Sequence, residues 1–107
     1  MLIGRSNLLQ SVTMRPTGPH GATFTPASLS GLIAWYDASD AATVFKDLGV
    51  TQAVNTDLVE QWNDKSGNAY HIGQATSGNR PTLNTTGFSA RRAIMFDQTN
   101  SQFMDTV

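Results

Sequence analysis

Short apolar runs closed by turn-forming residues recur along this chain at spacings of roughly 8 to 14 residues, which is the strand spacing of an all-β domain. This spacing constrains the fold more than any other feature of the sequence. The runs fall at 32–37, 43–45, 58–62, 70–74, 80–83, 93–97 and 102–107. Asp37-Ala38-Ser39-Asp40, Asn63 to Asn68, Thr76 to Asn79 and Gln98 to Ser101 separate several of them. Asp, Asn and Ser close turns by bonding nearby backbone groups, and Gly accepts a positive φ. The pattern predicts an antiparallel β-sandwich. Composition agrees: only 14% of residues are charged, whereas a helical bundle needs more Glu, Lys, Leu and Ala.

Two stretches organise the rest. Leu32-Ile33-Ala34-Trp35-Tyr36-Asp37 is nearly all apolar, so it reads as a strand buried on both faces. In 58–62, Leu58, Glu60 and Trp62 share one face, and Val59 and Gln61 the other. The turn after Trp62 is expected to place Gly67 or Asn68 at positive φ. Residues 46–57 read as a hairpin excursion and 84–90 as a loop. Residues 1–26 read as an extended arm. Leu2, Ile3, Leu8, Leu9 and Val12 offer an apolar face for anchoring, while Pro16, Gly18, Pro19, Gly21 and Pro26 prevent regular structure. The arm is either a disordered leader or a peptide that orders against a larger assembly. Residues 27–107 form the sandwich.

At 107 residues the chain has room for one domain. Its net charge is −1, with Arg91-Arg92 the one adjacent basic pair, which argues against nucleic acid as a partner. Cysteine is absent, which excludes disulfides and thiolate metal sites. The first residues have neither the apolar core nor the basic lead of a secretory signal. No run approaches the roughly 20 apolar residues of a membrane span.

Four motifs in order resemble one known family. Phe24 to Asp40, with its Gly31-Leu32-Ile33-Ala34-Trp35-Tyr36-Asp37 centre, is similar to the entry strand of the concanavalin A-like lectin/glucanase superfamily in its laminin G-like bacterial and phage branch. Trp62-Asn63-Asp64-Lys65-Ser66-Gly67-Asn68 with Tyr70-His71 resembles that branch's central tryptophan strand. Arg80-Pro81-Thr82-Leu83 and Ala93-Ile94-Met95-Phe96-Asp97 sit where it has further strands. Ala69 departs from the pattern, standing where the branch often has Gly. The resemblance covers about residues 24–107. It implies a jelly-roll sandwich that is incomplete within these residues, its sheets continued by later residues or by partner chains.

For function, the resemblance implies a non-catalytic phage virion structural protein of a fibre, tail or capsid decoration. Such a protein docks by its arm among other virion proteins and presents a lectin-like sandwich to a host surface glycan. A homo-oligomer, with three copies by analogy, fits such proteins. The alternative is a carbohydrate-binding module of a bacterial surface or secreted protein. A glycoside hydrolase is the third reading. It needs two carboxylates at a defined separation, and the chain has a single Glu, Glu60.

Among site residues, Tyr36, Tyr70 and Asn68 are the candidates for carbohydrate binding, with Trp35 and Trp62 expected in the core. Asp37, Asp40, Asp64 and Asp97 lie at strand ends, where they either ligate calcium or cap their own turns. No other cofactor is expected. A Ser66, His71 and Asp64 triad has no nucleophile elbow to support it.

Overall fold

The computed structural model describes residues 23–107. The anchoring candidates Leu2, Ile3, Leu8, Leu9 and Val12 lie outside them. The chain divides into two compact units, 1–32 and 33–107; the sequence reading places this boundary at residue 26. In the first unit, Pro26–Ser28 form a 3-10 turn with Pro at its start. There Ser28 Oγ donates to the Thr25 carbonyl at 2.8 Å.

The second unit holds only strands and short 3-10 turns, in two antiparallel sheets. Strands β1 (Val44–Phe45), β2 (Gln61–Trp62), β3 (Ile72–Gly73) and β6 (Asp105–Thr106) form a sheet in the order β1-β2-β3-β6. Strands β4 (Thr82–Phe88) and β5 (Arg91–Met95) form a hairpin. In the larger sheet, Val44 pairs with Trp62, Trp62 with Ile72, and Ile72 with Thr106. Thus the tryptophan strand is central in its sheet. Gly73 is needed there, because a Cβ would lie 2.7 Å from the Glu60 carbonyl oxygen.

Both sheets contribute to one core. Val44, Ala53, Val59 and Leu83 are buried together, and Trp62, Ile94 and Met104 pack against them. The 46–57 excursion returns as expected: Asp47 Oδ1 accepts the N–H groups of Val50 and Thr51, and Phe45 bridges Gln52. Its second half then runs beside β4, with Thr56 N donating to Leu83 O at 2.8 Å and Leu83 N to Asp57 O at 2.9 Å. All of this is compatible with the all-β class.

Two expectations are corrected. Residues 32–37 form an extended segment outside both sheets, and Ile33 is 70% exposed. Its backbone is satisfied by the polar turn at 63–68 in place of a neighbouring strand. Trp35 N donates to Asp64 Oδ1 at 2.8 Å and Trp35 O accepts from Lys65 N at 2.7 Å. Apolar content alone does not separate a buried strand from a segment pinned by side chains. The second correction concerns 84–90, which is strand as far as Phe88. The Asn84 carboxamide accepts the N–H groups of Thr86 and Gly87 and so absorbs a bulge in the ladder. Ser89 and Ala90, both at positive φ, make the two-residue turn. The Asn-Gly signature that usually announces such a turn is missing.

Candidate functional site

Asp64 is the hub from which the site is built. It is 8% exposed, so its charge needs nearby donors. Oδ1 accepts from Trp35 N and Ser66 N, each at 2.8 Å. Oδ2 accepts from Ser66 Oγ at 2.6 Å and Tyr70 N at 3.1 Å. Burial by itself would raise the pKa of this carboxyl, but the bonds from Ser66, Trp35 and Tyr70 outweigh it and hold it far below the usual range. The Asp64 N–H in turn donates to His71 Nδ1 at 3.1 Å. His71 is thereby a backbone acceptor and Ser66 a carboxylate donor, which is not a nucleophile–base arrangement.

Lys65, next along the turn, gathers the other face. Its Nζ lies 2.9 Å from Asp40 Oδ2, 3.1 Å from Asp37 Oδ2 and 4.4 Å from the centroid of the Trp35 ring. The bond to Asp40 is the main cause of a raised Lys65 pKa. Asp37 is lowered chiefly by the Ser39 hydroxyl and Asp40 chiefly by Lys65. Trp35 is therefore half-buried beneath a cation, while Trp62 is the tryptophan on the core.

Above this cluster opens a cleft of about 490 Å³, lined by Tyr36, Asp37, Ala38, Ser39, Ala90, Arg91 and Arg92. One wall is the 36–39 turn, the other the β4–β5 turn and the start of β5. Tyr36 is held from two sides. Its ring meets Trp62 at 5.6 Å between centroids, tilted by 57°, and its hydroxyl donates to the Tyr70 carbonyl. Burial, then the Asp64 charge, raises the Tyr36 pKa. Arg92 ties the walls together through Nε, which donates to the Ala38 carbonyl at 2.8 Å.

Of the carbohydrate-binding candidates, Tyr36 lines the cleft. Tyr70, 51% exposed, contributes its carbonyl as the anchor for Tyr36. Asn68 donates to Ile33 O at 2.8 Å and fixes the turn. The calcium candidates do not fit calcium. The Asp64 oxygens are filled by four donors, Asp37 and Asp40 share the Lys65 ammonium, and Asp97 caps the Gln98–Asn100 turn through Thr99 and Asn100. Among the described residues no group of three or more acidic or histidine side chains is placed to hold a metal ion. Glu60 pairs with Arg80 at 2.6 Å.

Sequence reasoning missed Ser39, Arg91 and Arg92 as site residues. The signal was the adjacent arginine pair, whose position opposite the 36–39 turn depends on a hairpin read as a loop.

Comparison with family models, curated proteins and solved structures gives no match. The concanavalin A-like resemblance is thus carried by the motifs in 24–107 alone. Among the described residues no helix is long and apolar enough to cross a membrane.

Proposed function

We propose that this chain is a non-catalytic attachment module of a virion structural protein, and that it binds a surface glycan in the cleft between the 36–39 turn and the β4–β5 turn. One observation carries the binding reading: a cleft of about 490 Å³ joins an immobilised aromatic ring to hydroxyl, carboxylate and guanidinium groups. A volume of this size accommodates a small ligand, and sugars offer both a ring face for tyrosine and hydroxyls for polar groups. Tyr36 and Arg92 are already fixed by Trp62, Tyr70 O and Ala38 O. Little side-chain freedom is then lost on binding. The virion setting rests on the motif resemblance, and docking by the arm falls outside the described residues.

The test is a glycan panel probed with the full chain and with Ser39→Trp, which fills the cleft from an exposed position. The expected result is a defined set of glycans bound by the native chain and lost in the variant, which remains folded although it loses the Ser39 hydroxyl bond to Asp37. A native chain that binds no glycan, or a stable Ser39→Trp variant that binds as the native chain does, overturns the proposal.

A further inference from the structure

We infer that the occupant of the cleft is an acidic sugar, whose carboxylate is taken by the guanidinium groups of Arg91 and Arg92. The inference rests on the glycan reading above and narrows it by charge. The lysines and arginines among the described residues are Lys46, Lys65, Arg80, Arg91 and Arg92. Lys46 pairs with Asp57, Lys65 with Asp37 and Asp40, and Arg80 with Glu60. Among the described residues Arg91 and Arg92 have no carboxylate partner, and both line the cleft.

The other charges at the cleft do not cancel them. Asp37 is the acidic residue of the lining, and it shares the single Lys65 ammonium with Asp40, so these three carry −1 against the +2 of the two arginines. The cleft therefore keeps a net positive charge in a protein whose overall charge is −1. Arg92 is held by a neutral carbonyl rather than by a carboxylate. A planar carboxylate matches the guanidinium fork and forms charge-assisted bonds with it. Two cations beside one tyrosine suit a single charge on a polyhydroxylated ring, whereas a phosphate backbone needs a longer basic track.

The experiment titrates the full chain with an oligouronate, its methyl ester, a neutral oligosaccharide and a sulfated one. The oligouronate is expected to bind about tenfold or more tighter than its ester, as loss of a charged hydrogen-bond partner requires. Arg91→Gln, at an exposed position, is expected to erase that difference without lowering the melting temperature. Arg92→Lys keeps the charge but loses the fork and the tie to Ala38 O, and it is expected to weaken the oligouronate more than the ester. Equal binding of the acid, its ester and the neutral sugar overturns the inference and leaves the glycan reading standing. Preference for the sulfated sugar also overturns it. Binding of none of the four overturns the glycan reading itself.

Discussion

Asp64 and Trp35 are joined across 29 positions of sequence by a 2.8 Å hydrogen bond from the Trp35 N–H to Asp64 Oδ1. This bond, with Lys65 N donating to Trp35 O, makes a polar turn serve as the partner of an apolar segment. The cleft depends on it, because Tyr36 to Ser39 follow directly.

Replacement of Asp64 by Asn puts an amide NH2 against either the Tyr70 N–H or the Trp35 and Ser66 N–H groups. One buried donor then faces another, so Asp64→Asn is expected to cost about 1–3 kcal/mol at neutral pH. The acid limb follows from the lowered pKa. A carboxyl depressed in the folded state stabilises it fully above the unfolded pKa, and that contribution is lost as pH falls through the folded pKa. Native stability should therefore decline below about pH 4 and continue to fall with further acid. The Asn variant should show a shallower decline, measured by urea unfolding at a series of pH values. Parallel acid limbs in the two proteins would count against the hub role of Asp64.

Three alanines test backbone strain. Ala69 and Ala90 sit at φ of 61° and 62°, a region that costs a non-glycine residue about 1 kcal/mol. Ala69→Gly and Ala90→Gly are each expected to stabilise the fold by about 0.5–1 kcal/mol. Ala42 lies in the 3-10 turn Ala41–Thr43 and is not at positive φ. Ala42→Gly should therefore move the melting temperature the opposite way. A drop in all three variants would mean that these alanines are not strained.

These residues also mark how far the sequence could be read. The turn after Trp62 was legible because Asp, Ser, Gly and Asn carry their turn chemistry locally, and Gly67 does take a positive φ, at 95°. The second left-handed residue is Ala69 rather than Asn68, and nothing local to alanine announces that. The short strands at 44–45, 61–62 and 72–73 lie within runs read from apolar content. Extended 32–37 has the same content, but its partner is a side chain far along the chain. Site residues followed the same divide. Tyr36 could be nominated from its own chemistry, whereas Arg91 and Arg92 matter through a position opposite the 36–39 turn that only the hairpin sets.

Trp62 packs on the core with its Nε1 buried and, among the described residues, without a hydrogen-bond partner. Trp62→Phe removes that orphan donor along with some apolar area, and the two effects offset. The expected change is within about 1 kcal/mol. Trp62→Ala removes the ring that supports Tyr36 and is expected to cost about 3 kcal/mol or more. Chemical denaturation measures both. A Phe variant as damaged as the Ala variant would show that the indole N–H finds a partner in solution.

Glu60 separates a structural carboxylate from a catalytic one. Its Oε1 lies 2.6 Å from Arg80 Nη2, and both side chains are largely buried, at 14% and 17% exposed. Arg80 also donates to the carbonyls of Gln74 and Ala75, so the pair clamps the start of β2 to the loop before β4. Breaking such a pair strands a charge and two acceptors. Arg80→Met is expected to cost about 3 kcal/mol. With Glu60→Gln added, the total loss should fall short of the sum of the two single losses, since the residues are coupled. Hydrolysis of a glucan by the native chain, abolished in a folded Glu60→Gln variant, would give Glu60 a chemical role that the clamp does not account for.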